Sequence, residues 1–374
     1  MKEGWEYKKL GEVAEVIHGK NQKDVLSANG TYPIYGSGGN VMGYASDYLC
    51  EAGTTILGRK GSINNPLYIK ERFWNVDTAF GISAKEGNDG KYLYYFIKTV
   101  DWLKKNTGTT LPSLTQQVVK SVVLPAPPLS EQQRIVDYLD SAFAKIDAMK
   151  ANAEKSLNEA KALFQASLKE MLEPKEGWEE KKVGDISEIK GGKRLPKGEK
   201  LQSEPTSHKY IRVADFNEYG TVILDDILYI SDNVYEHIKR YIIKKEDIYI
   251  SIAGTIGKSG IIPEELDGAN LTENACRLIL SKEINQRFMY YITISPEFIR
   301  QEIESTKISA QPKLALTRLS DIIIAYPPLS EQQSIVATLD SLKSKVDRLQ
   351  ANFEKISQEC DALKQALLRE VFEG

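Results

Sequence analysis

A chain of 374 residues, 41% hydrophobic and 27% charged, is long enough for two ordinary globular domains and has the composition of a folded protein. The net charge of −3 lacks the basic excess by which a nucleic-acid binder usually announces itself, but the charge is uneven: residues 181–212 hold nine Lys or Arg against four acids. Cys50, Cys276 and Cys360 show no metal-type spacing and suit a reducing, cytoplasmic setting, while neither the start MKEGWEYKK nor any later run has the apolar length of a signal peptide or a membrane span.

In chain order, residues 1–130 read as a first mixed domain. TTILGRKG is a strand-like run, and KYLYYFIKTVDWL, near 90–105, reads as a core helix whose aromatics pack rather than stack on bases. Pro127-Pro128-Leu129 then leads into a helix start. Ser130 offers the cap, Gln133 completes a capping box and Glu131 complements the helix dipole. Neither proline nor glycine follows before Glu173, so residues 131–173 predict one helix of roughly 65 Å. Residues 174–330 form a second mixed domain with strand-like DIYISI and RLSDIIIAY and a helical stretch near 284–304. Ser330 and Gln333 open a second long helix over 331–374.

In that second helix Leu339, Leu342, Val346, Leu349, Phe353, Ile356, Cys360, Leu363 and Leu367 alternate three and four apart, the spacing of a coiled-coil seam. The matching positions of the first helix are Leu139, Ala142, Ile146, Met149, Ala153, Ser156, Ala160, Leu163 and Ser167. Large residues facing small ones predict that the two helices pair with each other inside one chain.

The two domains are copies. KEGWEYKKLGEVAEVIHGK at 2–20 recurs as KEGWEEKKVGDISEIKGGK at 175–193, offset by 173, and PPLSEQQRIVDYLDS at 127–141 recurs as PPLSEQQSIVATLDS at 327–341, offset by 200. A fainter match sets Gly58-Arg-Lys-Gly61 and Asp77 against Gly254-Thr-Ile-Gly257 and Glu273, offset by 196. Most of the additional length then falls between Lys193 and Gly254. One framework carrying two divergent stretches suits one operation performed on two different targets.

Catalytic motifs fail on spacing. Gly257-Lys258-Ser259 lacks the earlier glycine of a phosphate loop, because Ile252 stands there, and in Asn64-Asn65-Pro66-Leu67-Tyr68 a leucine replaces the second proline of an adenine-methyltransferase tetrapeptide. GSGG at 36–39 has no strand-turn-helix context. His18, His208 and His237 are scattered without a carboxylate or cysteine at ligand spacing, so neither a metal centre nor a catalytic residue is expected.

With its PPLSEQQ helix start in both copies, and with GKRLPKG and YIRVAD in the second, the whole chain resembles the specificity subunit family of type I restriction-modification systems. The resemblance implies an α+β fold: two mixed target-recognition domains related by a pseudo-two-fold axis and joined by two long helices in an antiparallel coiled coil that acts as a ruler. It implies that each domain reads half of a bipartite, asymmetric site in double-stranded DNA. It also implies two modification subunits and restriction subunits as partners, no membrane, and no cofactor in this chain, with S-adenosylmethionine, ATP and magnesium used by the partners. Variable polar positions then nominate Lys20, Asn21, Lys23, Ser37, Asn40, Arg59, Lys60, Asp77 and Thr78 as DNA contacts in the first domain. Lys193, Arg194, Lys197, Tyr210, Arg212, Thr255, Lys258, Glu273 and Asn274 are the nominees in the second. The acids Asp77 and Glu273 could each accept from a cytosine amino group, and the Gly-x-x-Gly turns would let backbone approach DNA. A DNA-modifying enzyme with an unrecognised centre and a protein-only coiled-coil scaffold remain open on sequence.

Overall fold

The computed structural model describes residues 5–305 and 314–373. It falls into two compact units, Met1–Lys155 with Ala351–Gly374, and Ser156–Gln350. Each long helix therefore gives its first part to one unit and its last part to the other.

The first unit contains β1 (Glu6–Lys9), α1 (Leu10–Val13), β2 (Ala14–His18), β3 (Tyr32–Tyr35), β4 (Val41–Ala45), β5 (Thr54–Gly58), β6 (Leu67–Ile69), β7 (Trp74–Asn75), β8 (Ala79–Ala84), α2 (Gly90–Thr99), α3 (Gln116–Ser121), β9 (Val123–Ala126) and the start of α4 (Leu129–Met171). An antiparallel sheet runs in the order β2-β8-β5-β6. A smaller sheet, β4-β3-β7, has β3 and β7 parallel, and β1 pairs with β9. Every residue of β5 is buried, so this central strand reads TTILG without alternation. Tyr92, Leu93, Phe96 and Ile97 of α2 join Leu57, Phe80 and Ile82 in the main core, and the Asp89 carboxylate caps α2 by accepting from the Lys91 and Tyr92 amides.

The second unit repeats this order as β10 (Glu179–Lys182), α5 (Val183–Ile186), β11 (Ser187–Gly191), β12 (Lys209–Ile211), β13 (Leu228–Tyr229), α6 (Asp232–Ile238), β14 (Ile248–Ser251), β15 (Ser259–Ile261), β16 (Asn270–Leu271), β17 (Ala275–Leu280), α7 (Gln286–Thr293), α8 (Pro296–Ser305), α9 (Leu316–Ser320), β18 (Ile323–Tyr326) and α10 (Leu329–Glu373). Its sheets, β11-β17-β14-β15 and β13-β12-β16, match those of the first unit strand for strand. The helices α6 and α8 are additions. Pro296 splits the expected helix at 284–304 into α7 and α8, and the RLS of RLSDIIIAY is helical, with only Ile323–Tyr326 in a strand.

Strand register corrects the faintest of the repeat matches. Ala79 of β8 pairs with Gly58, whereas Ala275 of β17 pairs with Ser251. Gly58 thus corresponds to Ser251, offset by 193 rather than 196, and Gly61 corresponds to Gly254. Both of the latter have φ of +78°, which only glycine adopts without strain. Letters aligned the glycines three residues out of step. The correspondence of Asp77 with Glu273 is unaffected.

The helix starts also differ from expectation. Helix α4 begins at Leu129, with the Pro128 carbonyl accepting from the Glu131 and Gln132 amides, so Ser130 is an exposed residue inside the first turn and caps nothing. Pro328 does the same for α10, which places Ser330 inside that helix. Gln132 and Gln332, rather than Gln133 and Gln333, are the working amides. Gln132 accepts from the Asp89 amide at 2.9 Å and donates to the Pro127 carbonyl. Gln332 accepts from the Asn285 amide at 2.8 Å and donates to both Glu283 and Pro327 carbonyls. Both are buried.

Pairing of the two helices is present within each unit, but the seam is not the expected one. Met149, Ser156 and Leu163 are exposed, while Leu157, Phe164, Leu168 and Leu172 are buried; in α10 Leu363 is exposed, and Leu368 and Phe372 are buried. The buried stripe slips by one residue because a straight helix repeats every 3.6 residues and a strict heptad every 3.5. The first seam is therefore built of large residues, not small ones. Antiparallel direction is visible within the first unit: Cys360 Sγ faces the Ile146 carbonyl at 3.7 Å, while Lys364, further along α10, lies 5.5 Å from the ring of Phe143, earlier in α4. In the second unit Lys161 donates to Gln350 at 2.9 Å.

Candidate nucleic-acid interface

In each unit the loops at one end of the four-stranded sheet are drawn together by the same backbone bonds. A Cβ on Gly19 would lie 1.9 Å from the Val76 carbonyl oxygen, and one on Gly192 2.1 Å from that of Thr272, so only glycine permits the crossing just after β2 and β11. The following amides are then fixed: Lys20 donates to the Asn75 carbonyl at 3.0 Å, and Lys193 to that of Leu271 at 2.8 Å. Arg59 and Lys60 both donate to the Thr78 carbonyl at 2.8 and 3.2 Å. Ile252 and Ala253 donate to that of Asn274 at the same two distances. Lys20, Arg59, Lys60, Asp77 and Thr78 are thereby gathered in the first unit, and Lys193, Arg194, Glu273 and Asn274 in the second.

The second unit adds an open concavity of about 570 Å³, lined by Arg194, Lys197, Tyr210, Arg212, Glu273 and Asn274 among others. Six of its nine nominated residues meet here. They are not equally available. Arg194 and Lys197 are exposed, and the Arg194 Nε donates to Glu273 Oε1 at 2.6 Å. Burial alone would raise the Glu273 carboxyl, but the Arg194 guanidinium and the Thr272 hydroxyl outweigh it and hold Glu273 below the usual range. Both of its oxygens are engaged, Oε1 by Arg194 and Oε2 by Thr272, so a cytosine amino group would have to compete for them. Tyr210 is 3% exposed and spends its hydroxyl on the Lys193 carbonyl at 2.8 Å, and Arg212 is tied to buried Asp215 and to the Asp226 carbonyl. These two build the wall of the concavity.

Thr255 and Lys258 lie in the β14–β15 turn, outside the concavity lining. Thr255 is exposed, but the Lys258 ammonium donates to the Phe216 carbonyl at 3.3 Å. Gly257 faces protein, since a Cβ there would lie 2.4 Å from Glu302 Oε2; burial pushes the Glu302 carboxyl up to about 7. Gly61 and Gly254, by contrast, have open space where a Cβ would project, which suits close approach by a ligand.

In the first unit Asn21 and Lys23 are exposed in the loop after β2, with Asn21 Oδ1 accepting from the Lys23 amide at 3.0 Å. Ser37 and Asn40 occupy the β3–β4 turn, which adjoins the β5 turn where Gly38 approaches Ser62. Residue-type reasoning missed the apolar side of this surface. Val41, Met42 and Tyr44 of β4 are about half exposed, next to Leu26. The signal was present in the run VMGYA, apolar on either side of Gly43.

Among the described residues no group of His, Cys, Asp and Glu could hold a metal ion. His208 Nε2 lies 3.1 Å from Asp232, and its ring stacks on Tyr235 at 3.8 Å, so this histidine is a packed residue with a single carboxylate neighbour. All three cysteines are buried and unpaired with one another, and burial pushes the Cys50 and Cys276 thiols up to about 12. No described helix is long and apolar enough to cross a membrane.

Residues 2–159 and 175–358 match the family model of the type I restriction modification DNA specificity domain. The chain is 25% identical over 348 residues to the type I restriction enzyme EcoBI specificity subunit of Escherichia coli, covering 85% of this chain and 73% of that one. It is 25% identical over 356 residues to a putative type I restriction enzyme specificity subunit of Haemophilus influenzae, covering 91% and 88%. The fold is that of the HsdS subunit from Thermoanaerobacter tengcongensis, with a TM-score of 0.58, 18% identity and coverage of 100% and 98%. A chain from a structure concerned with assembly and conformational transition of the type I R-M system matches with a TM-score of 0.77, 18% identity and coverage of 99% and 98%.

Proposed function

The chain belongs to the family of type I restriction modification DNA specificity domains, and from that premise we propose that it selects a bipartite, asymmetric site in double-stranded DNA, one half-site per unit. In this reading it serves two modification subunits and the restriction subunits. S-adenosylmethionine, ATP and magnesium act in those partners, inside the cell, and this chain carries no reacting group. The observation that carries the reading is the doubled sheet end: identical backbone bonds fix Lys20 and the Arg59-Lys60 pair in one unit and Lys193 and the Ile252-Ala253 pair in the other, next to Asp77 and Glu273 respectively. Two equal frames with unequal side chains fit two unequal half-sites rather than a palindrome. Lysines at these sheet ends would hold phosphates, and the residues between them would face base edges.

Methylation mapping in a host carrying this gene with its modification partner tests the reading. The expected result is methylation within one interrupted motif whose two halves differ. A palindromic motif, or methyl transfer by the rigorously purified single chain, would overturn it.

A further inference from the structure

We propose that Arg194 reads a guanine in the half-site of the second unit, with Glu273 as its positioning residue. The inference rests on the DNA-reading function above and assigns to it a base and a residue.

A guanidinium can face a guanine through two donor pairs, the side edge, Nε with one Nη, or the end edge, both Nη groups. In this chain the side edge is taken, because Nε donates to Glu273 Oε1 at 2.6 Å. The end edge remains, and the Arg194 side chain is 80% exposed while that of Glu273 is 26% exposed. Two parallel donors match the O6 and N7 acceptors of guanine in the major groove. Adenine offers an acceptor beside a donor and cannot satisfy both.

The same ion pair argues against a phosphate as the ligand. A carboxylate in contact with the guanidinium cancels its net charge at a distance and itself repels a phosphate. Directional hydrogen bonding survives that cancellation, whereas long-range attraction does not. Exposed Lys193 and Lys197, on the same segment, are the better phosphate ligands.

The pair is also held from both sides. On the Arg194 side, the Lys193 amide bonds Leu271 and the Lys193 carbonyl accepts from buried Tyr210. On the Glu273 side, the Ala275 amide bonds Thr272, and the Asn274 carbonyl accepts from both Ile252 and Ala253. An arginine whose backbone and Nε are already fixed loses less freedom on binding a base. In the first unit Asn21 and Asp77 occupy the corresponding positions, and Asn21 Oδ1 is used by the Lys23 amide. The guanine preference therefore belongs to one half-site only.

The test is selection from a random duplex library by the full-length chain with its modification partner, repeated for R194A, R194K and E273Q. Wild type is expected to select a G·C pair in the second half-site. R194A should lose about 10- to 100-fold of preference at that pair and at no other. R194K keeps the charge without the fork and should retain non-specific affinity but not the preference. E273Q should blunt the preference while leaving non-specific binding as strong or stronger, a result that a merely structural role for Glu273 would not give. Replacing that guanine by 7-deazaguanine should weaken wild type and leave R194A unaffected. Equal weakening of every sequence by R194A, an unchanged preference, or a second half-site without G·C would each overturn the assignment while leaving DNA recognition intact. A wild-type complex without any sequence preference would bring down the functional reading and this inference together.

Discussion

Just after β2 the chain reads Gly19-Lys20-Asn21, and just after β11 it reads Gly192-Lys193-Arg194. The glycine and the lysine make the same backbone bonds in both units, and the third residue differs in size, charge and partner. Backbone hydrogen bonds depend on sheet geometry and are indifferent to the side chain that follows, so such a frame tolerates exchange of whatever projects from it. Length differs too. In the second unit α6 packs Val234 and Ile238 against Tyr210 of β12. The first unit has no such helix, and its β4 shows Val41, Met42 and Tyr44 to solvent. By strand register the first-unit counterpart of Tyr210 is Ile34 of β3, which is buried with Ala45, Trp74 and Val76, so the two units cover this face of the smaller sheet with different residues.

Exchange of residues 21–126 for those of a relative is the strongest way to break this comparison. The expected outcome is a new first half-site and an unchanged second one. With each mismatch costing about 1–3 kcal/mol, several changed bases should reduce binding to the old site by roughly 10³-fold or more. A change in both half-sites, seen by methylation mapping, would mean that the frames are not independent.

The buried glutamines give the next largest effect. Gln332 makes three hydrogen bonds to neighbouring backbone and Gln132 makes two. Replacing either by methionine keeps the volume and strands those partners, at about 1–3 kcal/mol per buried group left unmade. Q332M should therefore cost more than Q132M. Because a chain of two units need not unfold in one step, the loss is best read by hydrogen exchange. Protection should fall at the start of α7 for Q332M and of α2 for Q132M. Equal losses would show that the third bond contributes nothing.

Smaller again is the electrostatic contrast. Lys193→Ala with Lys197→Ala should weaken binding to all sequences alike and reduce the slope of log affinity against log salt by about two units, roughly one per phosphate contact. Lys20→Ala with Lys23→Ala should do the same through the first unit. An unchanged slope for either pair would move that lysine pair off the interface.

Much of this was legible in the sequence, and the failures have physical causes. The repeat and the long helices followed from near-identity at both ends of each copy and from the absence of helix breakers between Leu129 and Met171. The seam slipped because the eye continues a heptad where a straight helix drifts past it. The middle anchor slipped because two Gly-x-x-Gly runs were aligned by letter, whereas positive φ identifies Gly61 with Gly254. Within the candidate site, Arg194 and Glu273 are 79 residues apart and meet only because β11 and β17 are neighbours in the sheet. Tyr210 and Arg212 were nominated for residue type, and type says nothing of whether a polar tip faces water or a buried partner. Ser130 has the right letter for a cap, but Pro128, with its fixed φ, already supplies the first accepting carbonyl of the helix two residues earlier.

The finest comparison concerns one place where the units are chemically alike and covalently different. In the second unit the chain runs on from α4 into β10, and Met171 and Trp178 pack on the same core, with the Trp178 indole donating to Glu331 at 3.3 Å. Trp5 is the counterpart of Trp178. In the first unit Val371 and Trp5 likewise pack on one core, and the Phe372 ring lies 5.2 Å from Tyr92, although the two segments stand at opposite ends of the sequence. The joining residues 1–4 and 374 lie outside the described residues. Their letters are nonetheless informative: Glu173-Pro174-Lys175-Glu176-Gly177-Trp178 spans the gap in the second unit, and joining Gly374 to Lys2 would write Glu373-Gly374-Lys2-Glu3-Gly4-Trp5 across it in the first. The lengths are equal. Gly177 has φ of +87°, a conformation that needs glycine, and Gly4 supplies one at the same step. Opening the chain between Pro174 and Lys175 cuts no helix and no strand. A permutant joined at Gly374–Lys2 and opened there should fold, bind the modification partner and methylate the same interrupted motif, at a cost of about 1 kcal/mol from altered loop closure. Partner binding with a changed distance between the half-sites would show that the two connections are not interchangeable, and that equivalence of the units stops at their ends.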